Sequence, residues 1–237
     1  MTNTILKAEC LMKRYGSHMA LMGLDLELPR GKIIGILGPN GSGKTTFLKL
    51  AAGLLTPTSG TLTIDGKPIG PETKAVVSYL PDRPCFQKSK RVRELMDWYG
   101  DFFADFDRQR ATEMLRELQI DPEQKFKALS KGTQEKVQLV LTMSRRAKLY
   151  LLDEPIGGVD PAARDYILRT IITNYDPTAT VLISTHLIRD VEPVLDEYLF
   201  LSMGQVIEQG TVDEVRERTG KSLDEVFREV FRCFVNY

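Results

Sequence analysis

One eight-residue run combines glycines, a lysine and a threonine at the spacing that binds phosphate. The run is Gly38-Pro39-Asn40-Gly41-Ser42-Gly43-Lys44-Thr45, and it fits the pattern of a glycine, four residues and then Gly-Lys-Thr. Glycines let the backbone curve around phosphate oxygens, and Lys44 brings a positive charge to the β and γ phosphates. The Thr45 hydroxyl suits Mg²⁺, and Thr46 lies close enough to reach the α phosphate. The run therefore predicts a nucleoside triphosphate site.

Two acidic residues follow an apolar run later in the chain. Residues 149–152 are continuously apolar and of strand length, and Asp153 and Glu154 come directly after them. An acid pair at the carboxyl end of a buried parallel strand lies where ligands bind in an open α/β sheet. We predict that Asp153 holds the Mg²⁺ shell and that Glu154 orients or deprotonates the attacking water. The alternative is a pair of acids that caps the next helix, and the phosphate-binding run makes that alternative weaker.

The patterns around these residues predict an α/β chain. A buried strand at 33–37 enters the phosphate-binding run and a helix at 45–52 leaves it, so free backbone N–H groups face the anion. Alternation at 24–28, and at 61–64 before the turn pair Asp65-Gly66, predicts an antiparallel β layer. Further strands are predicted at 76–80, 149–152 and 180–184, and a hairpin at 197–209.

The middle of the chain has a helical pattern and is rich in aromatic residues. Apolar residues recur at spacings of three and four over 91–106 and 110–118. A small helical unit cannot bury every ring on one stripe, so we expect some rings to face outwards and mark a protein interface. The alternative is that the rings form only the core of this insert. The rings concerned are Trp98, Tyr99, Phe102, Phe103 and Phe106.

Composition excludes several classes of protein. The chain has 237 residues, with 32 Lys+Arg and 32 Asp+Glu, so no overall positive charge favours nucleic acid as a partner. The apolar runs are too short for a membrane-spanning helix, and the first residues lack the pattern of a signal peptide. The protein is therefore expected to stay inside the cell. The cysteines, Cys10, Cys85 and Cys233, lack paired spacing and are predicted to be free thiols.

A third run completes a pattern that resembles a known family. Leu129-Ser130-Lys131-Gly132-Thr133 lies between the helical insert and the acid pair. With it, the chain resembles the ATP-binding-cassette (ABC) ATPases, whose usual signature is Leu-Ser-Gly-Gly-Gln. Ser130 and Gly132 open a helix whose N-terminal dipole can face a γ phosphate presented by a second subunit. Lys131 and Thr133 depart from the usual signature, and taken alone the run also fits an ordinary helix cap.

The resemblance implies roles for further residues. Tyr15 lies where these ATPases stack an aromatic ring on adenine, although a tyrosine buried in a strand is the alternative. Asp160 matches the loop that touches the opposite site across a dimer, and Asp160-Pro161 also fits an ordinary helix start. His186 follows a predicted strand, where the family has a histidine near the γ phosphate. His18 receives no role.

One position departs from the family in charge. In Tyr79-Leu80-Pro81-Asp82 the family normally ends with glutamine, whose amide oxygen binds Mg²⁺ and whose loop relays the nucleotide state. Asp82 still offers the hard oxygen that Mg²⁺ prefers, but it adds a negative charge beside the phosphates. The alternative is that Asp82 has left the metal and serves as a turn or cap residue.

The family fold implied is a P-loop NTPase core of α/β class, with a mostly parallel sheet, an antiparallel β layer and a helical subdomain. We expect a single ATP-binding domain over 1–237. Residues 1–82 would form the antiparallel layer and the P-loop core, and 83–147 the helical subdomain. Residues 148–204 would complete the core, and 205–237 would form a hairpin and short helices.

The resemblance also implies an activity and partners. The expected protein hydrolyses ATP with Mg²⁺ and powers transport through a separate integral membrane subunit, by ATP-driven dimerisation with a second copy or a homologous subunit. It would lie in the cytoplasm on the inner face of the cell membrane, with no nucleic acid partner. The near-minimal length, the lysine in the signature, residues 101–107 and the tail at 220–227 resemble exporters of drugs, peptides or lipids.

Two other classes remain as alternatives. A soluble ABC ATPase of repair, translation or iron–sulfur assembly is disfavoured by the single cassette, the zero net charge and the lack of a long coiled-coil insertion. A nucleotide-sensing regulator without turnover is disfavoured by the presence of both Glu154 and His186.

Overall fold

An antiparallel sheet forms the first layer of the molecule. The computed structural model describes residues 3–159 and 161–235, without the side chains of residues 161–163 and 233–235. Strands β1 (Thr4–Tyr15), β2 (His18–Pro29), β4 (Ser59–Ile64) and β5 (Lys67–Pro68) pair in the order β2-β1-β4-β5. Asp65 and Gly66 both have positive φ between β4 and β5, as a tight hairpin turn requires. The predicted antiparallel layer is confirmed.

A second, mostly parallel sheet carries the chemistry. Its order is β10-β9-β3-β8-β7-β6, and only the β9–β10 pair is antiparallel. Every residue of β3, β7 and β8 is buried, which explains why their sequences do not alternate between apolar and polar residues. The carboxyl ends of these three strands therefore meet at one edge of the sheet. The strands are β3 (Ile33–Leu37), β6 (Val77–Leu80), β7 (Leu149–Asp153), β8 (Thr180–Thr185), β9 (Glu197–Ser202) and β10 (Gln205–Thr211).

Helices cover both faces of this sheet. Side chains alternate between two cores along β7: Leu149 and Leu151 pack towards α1 and the antiparallel sheet, whereas Tyr150 and Leu152 pack towards the other helices. The helices are α1 (Lys44–Ala51), α2 (Pro71–Val76), α3 (Val92–Phe102), α4 (Arg108–Glu117), α5 (Lys131–Met143), α6 (Pro161–Asn174), α7 (Ile188–Val191), α8 (Val212–Thr219) and α9 (Leu223–Val235), with 3₁₀ turns at Phe126–Ala128 and Glu192–Val194.

The predicted helix over 91–106 is wrong at its end, because α3 stops at Phe102. Asp105 leaves the helical path and accepts hydrogen bonds from Arg145 Nε at 2.9 Å and Nη2 at 3.1 Å. Asp107 then caps α4 by accepting from the Arg110 N–H. A buried arginine therefore ends the helix where apolar spacing alone predicts that it continues.

The rings of the insert divide between the interior and the surface. Tyr99 is buried, and Phe103 and Phe106 are partly buried against the core. Trp98 is 48% exposed and Phe102 is 66% exposed. The expectation that some rings face outwards is confirmed.

One strand was missed and one strand boundary needs correction. Strand β1 was not predicted, because register shifts beside a positive φ of 46° at Cys10 break its alternation. Val76 closes α2 rather than opening β6. Cys10 and Cys85 are free, as predicted, and both are exposed, whereas the Cys233 side chain lies outside the described residues. Within the described chain, no helix combines the length and apolarity needed to cross a bilayer.

Candidate active site

The phosphate-binding run lies between the end of β3 and the start of α1. Gly41 and Gly43 have φ of +83° and +108°, which other residues rarely adopt. A Cβ on Gly43 would lie 2.6 Å from the Ala20 carbonyl oxygen, and one on Gly38 would lie 2.3 Å from that of Leu201. Because Gly43 is the N-cap, the first N–H groups of α1 receive no side-chain cap and can bind an anion.

Lys44 lies inside this loop and is almost fully buried. Its Nζ donates to the carbonyl oxygens of Gly38 at 2.7 Å and Pro39 at 3.1 Å, and it lies 3.9 Å from Glu154 Oε1. Burial lowers the pKa of Lys44, while the nearby Glu154 and Asp153 carboxylates oppose that shift. The ammonium group thus already lies where phosphates would replace the two carbonyl oxygens.

Asp153 ends β7 with its carboxylate almost fully buried. Its Oδ1 accepts from Thr45 Oγ1 at 2.9 Å and Ser184 Oγ at 2.7 Å, and its Oδ2 accepts from the Tyr79 hydroxyl at 3.4 Å. Burial raises the pKa of Asp153, the two shorter hydroxyl bonds oppose the rise, and nearby carboxylates add to it. Sequence reasoning missed Tyr79, although its place on the predicted strand that leads to Asp82 was a usable signal.

Glu154 follows in a strained backbone conformation, with φ of +49°. Its N–H donates to the Ser184 carbonyl oxygen at 2.9 Å, which holds the turn against β8. Both carboxylate oxygens lie 3.1 Å from His186 Nδ1. The structure therefore brings together the two residues predicted to be catalytic, with Glu154 mostly buried and His186 more open.

A cavity of about 760 Å³ at this edge of the sheet collects most of the predicted residues. Tyr15 lies in its wall and is 45% exposed, with Lys13 Nζ 5.3 Å from its ring centre. His18 lines the cavity because it pairs with Tyr15 across the β1–β2 hairpin, and the Gly16-Ser17 turn was the signal for this. The predicted lining residues are Tyr15, Asn40, Gly41, Ser42, Gly43, Lys44, Thr45, Thr46, Asp82, Glu154 and His186, and those not predicted are His18, Ala20, Arg83, Pro84, Lys131, Glu135, Gly157 and Gly158.

The signature residues Ser130 and Gly132 do not line this cavity. Ser130 caps α5 by accepting from the Thr133 N–H at 3.2 Å, and a Cβ on Gly132 would meet nothing within 4 Å. Of this run only Lys131 reaches the cavity, where its Nζ lies 3.6 Å from Glu135 Oε1. The N-terminus of α5 therefore borders the cavity through Lys131, while Ser130 and Gly132 lie outside its lining. Asp160 lies outside the described residues.

The residues present fit a magnesium ion bound together with phosphates. Thr45, Asp82 and Asp153 offer hard oxygen atoms, and burial of the Asp153 carboxylate leaves negative charge that a cation would neutralise. Asp82 is half exposed at the cavity, with Oδ2 3.8 Å from Arg83 Nε. Among residues 3–159 and 161–235, no group of three or more His, Cys, Asp or Glu side chains could hold a metal alone. Mg²⁺ would thus need phosphate oxygens and water as further ligands, as it usually does.

Comparison with known proteins identifies the family. The sequence pattern described as ABC transporter matches residues 21–157. The ABC transporter ATP-binding protein YdbJ of Bacillus subtilis (strain 168) is 32% identical over 95% of this chain and 75% of its own length. The daunorubicin resistance ATP-binding protein DrrA3 of Streptomyces coeruleorubidus is 30% identical over 97% of this chain and 75% of its own.

A solved structure gives the same result for the fold. The ATP-binding subunit of an ABC transporter superposes with a TM-score of 0.86 at 29% identity, covering 95% of this chain and 99% of that one. The P-loop NTPase core predicted from the sequence, with its antiparallel layer, is confirmed. The chain belongs to the ATP-binding subunits of ABC transporters, a family of ATPases.

Proposed function

We propose that this ATPase powers export through a separate membrane-spanning partner, working as a dimer that ATP closes. The observation that carries the proposal is the division of the site. One cavity gathers the phosphate-binding loop, Glu154 and His186, while Ser130 and Gly132 at the α5 N-terminus lie outside its lining. Export is supported by the likeness to a daunorubicin resistance ATP-binding protein. Attachment to the partner would place the chain on the inner face of the cell membrane.

The nucleotide would bind along the cavity from Tyr15 to Lys44. The Tyr15 ring is exposed enough to stack on adenine, at the side of the cavity formed by the β1–β2 hairpin. Backbone N–H groups of 38–43 and of the first turn of α1 would hold the phosphates, and Lys44 would neutralise the β and γ groups. Thr46 would reach the α phosphate.

Thr45, Asp82 and Asp153 would hold Mg²⁺ against those phosphates. When bound, the ion would neutralise negative charge that develops on the transferred phosphoryl group. Asp153 is suited to this position because its oxygens are already ordered by the Thr45 and Ser184 hydroxyls.

Glu154 would orient the attacking water and accept its proton as the water oxygen bonds to the γ phosphorus and the bond to ADP breaks. The His186 Nδ1 contact would hold the Glu154 carboxylate in one rotamer. The hydrogen bond from the Glu154 N–H to the Ser184 carbonyl oxygen would fix the Glu154 backbone against β8. His186 would also lie beside the γ phosphate.

A second copy, or a homologous subunit, would complete each site. In a two-fold dimer, Ser130 and Gly132 of one copy can face the γ phosphate bound by the other, because each copy offers both halves. The exposed helix N-terminus adds a dipole and free N–H groups at that point. Asp160 is proposed to touch the opposite site across the same interface.

A groove of about 560 Å³ beside α3 would receive a short helix of the membrane subunit. Trp98 lies in its wall, half exposed, next to Phe86 and Leu95. The apolar wall fits the apolar face of an amphipathic helix, and the acidic residues fit basic side chains beside that face. The acidic residues of the groove are Glu94, Asp97 and Asp101, against the single cation Lys90.

Replacing Glu154 with glutamine tests the catalytic assignment. Glu154→Gln keeps the size and the contact with His186 but removes the base, so we expect ATP to bind normally and turnover to fall at least about a hundredfold. Glu113→Gln, at an exposed position of helix α4, is the control for the same chemical change and should hydrolyse ATP at the parent rate. A Glu154→Gln rate equal to the parent rate would refute the role of Glu154.

A further inference from the structure

Gln138 connects helix α5 to the loop that carries Asp82. The side chain is 3% exposed, and its Nε2 donates to the Pro81 carbonyl oxygen at 2.8 Å. Pro81 directly precedes Asp82, so this bond fixes the backbone from which the Asp82 side chain projects. Lys131, Glu135 and Gln138 follow one another at spacings of four and three, which places them on the face of α5 that borders the cavities of the site.

At the other end of the segment 79–82, Tyr79 contacts Asp153, a carboxylate proposed to bind magnesium. Tyr79 donates its hydroxyl to Asp153 Oδ2 at 3.4 Å. Residues 79–82 therefore run between two contacts, one to Asp153 in β7 and one to Gln138 in α5. A displacement of α5 would move Pro81 and Asp82 relative to Asp153.

A small cavity of about 20 Å³ adjoins this contact. Gln138 lines it together with Asp82, Asp153 and Glu154. Gln138 Oε1 is buried and has no hydrogen-bond partner within the described part of the chain. The volume is sufficient for one water, which could bond to Oε1 and to the surrounding carboxylates. An apolar side chain would remove this unsatisfied acceptor, but the Pro81 carbonyl oxygen would lose its Nε2 donor.

We infer that Gln138 is a positioning residue for the magnesium site, which holds Asp82 in place through Pro81 and so makes the metal geometry depend on the position of α5. The inference rests on the proposed role of Asp82 as a metal ligand. Ser130 caps the same helix, so docking of its N-terminus onto a second copy would be transmitted to Asp82 along a rigid element. Gln138 thereby links completion of one nucleotide site to the metal geometry of the other.

The test uses Gln138→Met, which removes the amide and nearly keeps the volume. Binding of Mn²⁺ to the full chain with ADP, measured by electron paramagnetic resonance, should weaken about tenfold, as expected for loss of a group that orients a metal ligand. The free Mg²⁺ needed for half-maximal ATPase should rise by the same factor. Binding of ADP without metal should not change.

Thr142→Val is the matched control, because Thr142 is equally buried, one turn further along α5, and its hydroxyl contacts the Gln138 carbonyl oxygen and Tyr99 rather than the loop that carries Asp82. It should leave Mn²⁺ binding unchanged. An equal loss in Thr142→Val would show a general disturbance of the helix and overturn the inference. Gln138→Leu replaces Gln138→Met if the latter does not fold.

A double-mutant cycle with Asp82→Ala, which removes the oxygen ligand, separates the inference from the proposal beneath it. If Gln138 acts through Asp82, adding Gln138→Met to Asp82→Ala should weaken Mn²⁺ binding no further. Additive losses, or a Gln138→Met variant that binds Mn²⁺ as tightly as the parent, would overturn the inference while leaving Asp82 as a ligand. An Asp82→Ala variant with unchanged Mn²⁺ binding would instead refute the proposed metal role of Asp82, and the inference with it.

Discussion

At the residue scale, the charged Asp153 carboxylate lowers the stability of the folded chain because it is buried, although its position suits it to bind Mg²⁺. Burial raises its pKa, and Asp82 and Glu154 add repulsion. The folded chain therefore keeps this proton to a higher pH than the unfolded chain, whose aspartates titrate near about 3.9. The contribution of Asp153 to the free energy of unfolding is therefore fully present below the pKa of the unfolded chain. It is lost as the pH rises through the higher pKa of the folded chain.

Asp153→Asn should consequently stabilise the chain at pH 7 in the absence of nucleotide and metal. The amide keeps Oδ1 as an acceptor for Thr45 and Ser184, and its nitrogen can donate to the Tyr79 hydroxyl oxygen. In thermal unfolding, we expect the melting temperature to rise by about 2–4 °C for each kcal/mol relieved. Mg²⁺-dependent hydrolysis should be lost.

Asp107→Asn is the contrasting control, because the Asp107 pKa is lowered by its bond from the Arg110 N–H and by Arg146. That variant should be less stable than the parent at pH 7, and the difference should be lost as the pH falls through the lowered pKa of Asp107 in the folded chain. If Asp153→Asn were less stable than the parent at pH 7, that result would contradict the claim that the buried Asp153 charge lowers the stability of the folded chain.

At the element scale, Arg145 joins the helical insert to the central sheet. Its guanidinium donates to Asp105 and to the carbonyl oxygens of Val77 and Ala75, and it stacks 3.9 Å from the centre of the Phe103 ring. This contact lies within the run 101–107 that resembles exporter subunits, so part of that run has a structural use.

Arg145→Leu should cost about 3–5 kcal/mol of unfolding free energy, because Asp105 and two carbonyl oxygens lose their buried partner. Arg146→Ala is the neighbouring control, since Arg146 is 75% exposed and pairs with Asp107 at the surface. It should cost no more than about 1 kcal/mol. Urea titration measures the unfolding free energy of both variants. Equal losses would show that Arg145 does not hold the helical insert against the central sheet.

The groove beside α3 predicts a difference between two adjacent rings. Trp98 lines the groove, whereas Phe102 is more exposed and lies outside it, with the ring centres 4.9 Å apart. Trp98→Glu should abolish co-purification with the proposed membrane subunit and leave ATP binding intact. Phe102→Glu should retain the partner. Equal recovery of the partner by both variants would show that the groove is not the docking site.

Sequence reasoning succeeded where function depends on local spacing. The phosphate-binding run, the acids after β7 and the histidine after β8 each follow a buried strand, so parallel pairing alone brings them to one edge of the sheet. It failed where a distant residue decides the local structure. The end of α3 depends on Arg145, and the Gln138 contact depends on how α5 crosses the Asp82 loop. Neither contact produces a periodic pattern in the sequence from which it could be predicted.

At the scale of the whole molecule, the central claim is that one chain holds only half of each working site. The cavity contains Lys44, Glu154 and His186, while Ser130 and Gly132 lie outside it. Zero net charge puts no strong repulsion between two copies. Bound ATP would thus decide whether two chains associate, because the γ phosphate is the group that the second copy contacts.

The most direct measurement is the mass of Glu154→Gln in solution with and without ATP, compared with Glu154→Gln carrying Ser130→Asp. Aspartate still caps α5 but places a negative charge against the γ phosphate. We predict that ATP converts Glu154→Gln from 26.8 kDa to twice that mass, and that the double variant binds ATP yet stays at the lower mass. An ATP-bound monomer of Glu154→Gln, or a dimer that forms regardless of Ser130, would contradict the shared site.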